Sequence, residues 1–217
     1  QLVYKGLRVI SLNTNYCNNL NFWLYISDVD PAGQLTWLIE TLEAAEKNNE
    51  KVWLLGHIPP GISDCLANYG AKLHQIFDRY EATILAQFYG HIHTDQFEVM
   101  YDYATNTRPI GIAYIAPSVT TFTDHNPAVR EYTYDIKTLN FVDSITHITN
   151  MTQNNLQDKV TFVVEYSARA LYSIPNLIYY NWAVALENIE RSPELFHKYK
   201  FYEWAGAKPV DCDSVCR

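Results

Sequence analysis

The sequence predicts an α/β fold that gives way to a helical C-terminal lobe, on three observations. Two apolar runs of strand length, Lys51-Val-Trp-Leu-Leu and Ile84-Leu-Ala-Gln-Phe-Tyr, each lead into Gly-His. Segments with helical apolar spacing precede and separate them. Beyond about residue 150 the alternation stops, and amphipathic segments rich in Tyr and Trp follow. Buried strands of parallel sheets read as near-continuous apolar runs, with functional loops at their carboxyl ends.

Residues 6–12 form the first expected strand. Residues 13–21 carry five Asn around Cys17 and read as a loop. Pro31 suits the first turn of a helix, and Leu35, Leu38, Ile39 and Leu42 repeat at helical spacing until Lys47-Asn-Asn-Glu50 stops it. Residues 52–55 are a strand ending near His57, and residues 61–68 a loop holding Cys65. Leu73, Ile76, Phe77 and Tyr80 place a helix over 71–80, followed by the strand 84–89 that leads to His91 and His93. Residues 97–102, 110–115 and 131–136 read as strands of a meander. The long loop 116–130 between the last two contains Thr120, Thr123, Asp124 and His125. Loops of that length in a compact domain are functional or flexible. Helices are expected over 160–172, 177–189 and 193–204, which divides the chain into domains 1–150 and 151–217.

With 48% hydrophobic residues, the 217-residue chain has enough apolar side chains for a packed core. Its net charge of -8 argues against nucleic acid and against electrostatic docking on an anionic membrane. That charge falls toward acid pH, so an acidic compartment is compatible. No apolar run approaches the ~18 residues of a membrane span.

In an extended segment, residues two apart face the same way. His91 and His93 would then share a side, roughly 6.6 Å apart. Imidazoles so spaced can reach two ions ~3.5–4 Å apart, and His57 would supply a third nitrogen. The competing reading is a set of hydrogen-bonded histidines at strand ends; the repeated Gly-His with its x-His extension favours metal. Imidazole suits zinc, iron and related metals. His74, His147 and His197 read as ordinary surface or helix residues, and His125 as a solvated loop residue. Asp95 and Glu98 either orient an imidazole or face solvent; the sequence does not choose.

Several longer motifs occur in order: Gly6-Leu-Arg-Val-Ile-Ser-Leu-Asn13, Asp30-Pro-Ala-Gly-Gln-Leu35, Gly56-His-Ile-Pro-Pro-Gly61, Arg79-Tyr-Glu81, Ala86-Gln-Phe88, Gly90-His-Ile-His93, Phe97-Glu-Val99 with Tyr101-Asp102, and Ala116-Pro-Ser118. In these, from about residue 6 to 216, the chain resembles the acid sphingomyelinase branch of the calcineurin-like metallophosphoesterases. The resemblance implies the second half of a four-layer α/β/β/α sandwich, followed by the helical lobe. It implies a hydrolase, a phosphodiesterase that cleaves sphingomyelin to ceramide and phosphocholine with two divalent metal ions, zinc being expected. His57 and His91 would hold one ion and His93 the other, with no further catalytic residue in this chain.

With the resemblance, the cysteines read as oxidised, in Cys17–Cys65 and Cys212–Cys216 bridges. Asn150-Met-Thr152 becomes an expected N-glycosylation site, and the location lysosomal or secreted, with a sphingolipid at a membrane surface as substrate. The family's Asp-x-His, Gly-Asp and Gly-Asn-His motifs do not occur here. The expectation is that they precede Gln1, so that an N-terminal part of the same enzyme completes the site. The alternatives are a related phosphodiesterase acting on nucleotides or other small phosphoesters, and a non-catalytic secreted homologue that binds lipid or protein.

Overall fold

A computed structural model describes residues 1–207; the expected Cys212–Cys216 bridge lies outside them. The described chain forms two compact units, residues 1–91 with 97–115, and residues 92–96 with 116–207.

The first unit is a six-stranded mixed sheet with two helices. β1 (Leu2–Tyr4) and β2 (Leu7–Ser11) pair antiparallel through a turn at Gly6. α1 (Gln34–Lys47) follows a short 3-10 turn over Pro31–Gly33. Asp30 caps it, its carboxylate accepting the backbone N–H groups of Leu35 at 2.8 Å and Thr36 at 3.1 Å. Leu35, Leu38, Leu42 and Ala45 bury its apolar face, as the helical spacing requires. β3 (Lys51–Leu55), α2 (Ala67–Arg79), β4 (Ile84–Tyr89), β5 (Gln96–Tyr101) and β6 (Pro109–Ile115) complete the unit, in strand order β1-β2-β3-β4-β6-β5. β2, β3, β4 and β6 run parallel.

The expected meander is corrected here, because the chain skips a place and β6, not β5, lies beside β4. Ile110, Ile112, Ala113, Tyr114 and Ile115 are all buried and need a neighbour on each side, whereas β5 is half-buried along its length and takes the edge. Phe88 joins its neighbours in an aromatic ladder, with ring centroids 6.3 Å from Trp53 and 5.5 Å from Tyr114.

The second unit is an antiparallel sheet of β7 (Ala128–Tyr134), β8 (Phe141–Ile148) and β9 (Val163–Ser167), with α3 (Met151–Gln157), α4 (Ala168–Tyr172), α5 (Tyr179–Arg191) and α6 (Pro193–Glu203). The expected division at residue 150 falls inside this unit, since β8 pairs with strands on both sides of it. The helix expected over 160–172 is a strand followed by one helical turn and a half. Val163 and Val164 are β-branched and stiff at χ1, which favours a pleated ladder over a helix. Asp95 belongs to this unit, where its buried carboxylate pairs with Arg130 and accepts from Thr146 Oγ1 at 3.0 Å and Tyr166 OH at 2.9 Å. Neither expected role fits it; it is a buried structural anion. No helix among the described residues is long and apolar enough to cross a membrane. The α/β class read from the sequence holds.

Titration follows from burial. Burial pushes the Glu98 carboxyl up to about 7. Burial likewise raises Glu165 to about 8, with Arg130 opposing the shift. Both bind their proton more tightly folded than unfolded, so their stabilising contribution is complete below the ordinary glutamate value and is lost as pH rises through 7 and 8. Asp102 shifts the other way. Backbone N–H donors from Arg108, then the Thr105 hydroxyl and N–H, hold its carboxyl well below the usual range. That stabilisation is present above the ordinary aspartate value and fades as acid titrates the folded group. Thermal unfolding is therefore expected at higher temperature at pH 5 than at pH 8, and Glu98→Gln should flatten the difference.

Candidate metal centre

Parallel register brings two of the three expected ligands together. Leu55 of β3 lies opposite Phe88 of β4. The pairing runs past both strand ends, through Gly56 N–H to Phe88 O at 2.9 Å and Gly90 N–H to His57 O at 3.0 Å. His57 and His91 thus emerge beside each other at the carboxyl end of the sheet. Gly56 is needed for space: a Cβ there would stand 2.6 Å from the Tyr89 ring and 2.9 Å from Thr14 Cγ2. Thr14 has a second role, its buried hydroxyl accepting the N–H groups of His57 at 3.0 Å and Ile58 at 2.8 Å.

The extended geometry expected for His91 and His93 does not hold. β4 stops at Tyr89, and both histidines are left-handed, with φ of 74° and 64°. Such backbone costs on the order of 1–3 kcal/mol for a residue with a side chain, and it clusters at functional sites. The turn falls on the histidines themselves, not on Gly90, where a Cβ would meet only ordinary contact.

His57 Nε2 and His91 Nδ1 are 3.2 Å apart, with the rings nearly perpendicular. Two nitrogens sharing a tetrahedral ion at ~2.0–2.1 Å stand roughly 3.3–3.4 Å apart, so the spacing of this pair is compatible with a common ion once the rings turn from facing each other. The opposite nitrogen, His91 Nε2, is 2.8 Å from Asp64 Oδ2. A carboxylate accepting one ring N–H fixes the tautomer and leaves the other nitrogen its lone pair, the arrangement typical of metal-bound histidine. Asp64 was not legible in the sequence. It lies seven residues after His57 in a loop, at no ligand-like spacing, and only the fold of that loop brings it to His91. Its place is set by the Cys17–Cys65 disulfide, with Cα atoms 4.7 Å apart, and by Asn19 N–H donating to Asp64 O at 2.9 Å.

His93 belongs to the second unit, where its ring stands edge-on to Phe122 with centroids 6.0 Å apart. His125, expected in solvent, is buried there against Trp204, centroid to centroid 4.7 Å. His74 Nε2 lies 2.6 Å from Tyr101 O, and His147 approaches Glu131 at 3.6 Å. Glu98 lines a cavity of about 760 Å³ with His74, Met100 and the residues that follow Pro60. Among the described residues no three His, Cys, Asp or Glu side chains stand together as a metal-ligand group.

Comparison with known proteins adds the following. The family described as the acid sphingomyelin phosphodiesterase C-terminal region matches residues 108–217. Sphingomyelin phosphodiesterase B of Dictyostelium discoideum is 43% identical over 99% of this chain and 36% of its own length. Sphingomyelin phosphodiesterase of Homo sapiens is 41% identical over 99% of this chain and 34% of its own. The chain thus spans about a third of the length of these relatives. Among solved structures, a dimetal phosphatase from Danio rerio is similar over 54% of this chain and 34% of its own, at 16% identity and a TM-score of 0.40, a likeness too slight to carry inference.

Proposed function

The chain belongs to the acid sphingomyelin phosphodiesterase family, and from that premise we propose that it forms part of a metal-dependent phosphodiesterase that hydrolyses sphingomyelin to ceramide and phosphocholine. The identity to relatives of that name along nearly the whole chain carries the reading. Water adds to phosphorus, the bond from phosphorus to the ceramide oxygen breaks, and that oxygen leaves with a proton.

His57 Nε2 and His91 Nδ1 would hold one divalent ion and His93 would serve a second; the nitrogen donors suit zinc. Bound ions of this kind neutralise phosphate oxygens and supply a deprotonated water at moderate pH. The chain's own residues hold the frame. Asp64 keeps the His91 proton on Nε2, Thr14 fixes the turn that carries His57, and Gly56 lets the two strand ends close up. The ligands still needed come from an N-terminal part of the same enzyme; an isolated histidine pair offers no carboxylate to bridge two cations and offset their repulsion. A substrate panel on the intact protein tests the reading, with sphingomyelin cleaved in preference to nucleotide phosphodiesters.

A lysosomal or secreted location agrees with the Cys17–Cys65 bridge and with greater stability on the acid side. Asn150 is exposed and caps α3, its Oδ1 accepting Gln153 N–H at 3.0 Å. A glycan on Nδ2 leaves that bond intact. Peptide mapping of protein from a glycosylating host should find Asn150 modified, with an unmodified peptide counting against it.

A further inference from the structure

The short stretch Ile92–Gln96 carries His93 and belongs to the second unit, while His91 before it and Phe97 after it belong to the first. Asp95 ties this stretch to the second unit. Its carboxylate forms an ion pair with Arg130, and the two side chains are only 5% and 4% exposed. Asp95 Oδ2 also accepts from Thr146 Oγ1 at 3.0 Å and from Tyr166 OH at 2.9 Å. The backbone is held as well. Asp95 N–H donates to the carbonyl of Glu203, the last residue of α6, at 2.9 Å, and Gln96 Nε2 donates to Glu203 Oε1 at 2.7 Å.

A buried ion pair is a poor source of stability. Desolvation of the two charges offsets most of their attraction, and apolar side chains of similar volume often serve as well or better. What the pair supplies beyond apolar contact is direction, because one carboxylate must meet a guanidinium, a hydroxyl and a phenol together. Fixed direction is needed at this point of the chain. His93 lies two residues before Asp95 and is left-handed, with φ of 64°. A residue with a side chain keeps that conformation only where its surroundings over-determine it.

We propose that Asp95 and Arg130 are positioning residues for the metal centre: their buried pair pins the chain just after His93, holds its left-handed turn, and so fixes where that imidazole is offered to an ion. Asp95 acts through the backbone rather than on the ring. Thr146, Tyr166 and Glu203 complete the anchor, which makes the second unit the frame for this ligand. The inference rests on the reading of His93 as a ligand to the second ion. It also makes the two ions unequal. His57 and His91 have their own support in Thr14 and Asp64, so loosening the anchor should release only the ion that His93 serves.

The test is the zinc content of the intact protein after equilibration across a series of buffered zinc concentrations. The parent should hold two ions and His93→Ala one. Asp95→Asn should weaken one ion by at least about tenfold and leave the other unchanged, the size of effect found for groups that orient metal ligands. Thr146→Val with Tyr166→Phe strips both hydrogen bonds from Asp95 Oδ2 with little change of shape. It should weaken the same ion, and it keeps the test open should Asp95→Asn fail to fold. Asp135→Ala is the control for lost stability. It removes the acceptor of the Lys137 and Thr138 N–H groups, at 2.9 and 2.7 Å, in the turn between β7 and β8, and both ions should stay. In zinc-free protein, the amides of residues 92–96 should exchange hydrogen faster in the anchor variants than in the parent or the control. If folded anchor variants keep both ions at parent affinity while His93→Ala loses one, the inference alone fails. If they lose both ions together, or the control loses ions in step with its melting temperature, the pair is merely structural and the inference is overturned. If the parent holds fewer than two ions, or His93→Ala keeps two, the ligand reading fails and takes the inference with it. If the ions behave as expected but sphingomyelin is not cleaved, the anchor stands and the sphingomyelinase reading fails.

Discussion

Replacing His91 by alanine in the intact protein is expected to lower phosphodiesterase activity by more than about a hundredfold and to reduce bound metal with it. Loss of a carboxylate that only orients a metal-bound histidine typically costs 10–100-fold, and loss of the nitrogen itself costs more. Asp64→Asn should therefore fall within roughly 10–100-fold, because the amide no longer accepts the Nε2 proton as a carboxylate does. The order of effects separates a ligand from its support. His57→Ala belongs with His91→Ala, since its Nε2 stands 3.2 Å from His91 Nδ1. His74→Ala serves as control: its ring nitrogen is tied to Tyr101 O, so neither metal content nor activity should change. Metal content and activity, measured on the same samples, check all four.

Removing the Cys17–Cys65 bridge should have the largest effect on stability. It spans 48 residues of sequence, and on the loop-entropy model such a closure contributes about 4 kcal/mol. For a chain of this size that corresponds to a melting temperature lower by roughly 8–16 °C. Both cysteines are buried, so replacement by Ser adds a desolvation penalty and replacement by Ala is the cleaner test. Activity should fall as well, because the bridge aligns residues 17–19 with 63–66 and Asn19 holds the backbone of Asp64. Differential scanning calorimetry of Cys17→Ala/Cys65→Ala checks the first effect, and residual turnover at low temperature the second.

Strands with a strong local signature were legible. The runs before His57 and His91 are apolar enough to be central, and the spacing of Leu35, Leu38 and Leu42 leaves one reading for α1. Order within the sheet was not, because it depends on which strand needs burial on both sides; β6 displaces β5 for that reason. β9 was missed because its few β-branched residues sit between helical stretches, and its pairing with β8 is a tertiary choice. In the site, the histidine pair could be read from repeated Gly-His, but the left-handed turns at His91 and His93 could not. Thr14 and Asp64 act through loops whose course is set by the disulfide, so no local pattern betrays them. His125 was assigned to solvent, and Asp95 was left between an imidazole and solvent, while the fold supplied Trp204 and Arg130 as their buried neighbours.

X-ray absorption and anomalous diffraction at the metal edge on the intact protein test the central claim most directly. The account predicts an ion bound at about 2.0–2.1 Å by His57 Nε2 and His91 Nδ1, with Asp64 still on His91 Nε2. An intact, active protein whose ions lie away from these two nitrogens, with the contact between His57 Nε2 and His91 Nδ1 still in place, would contradict it.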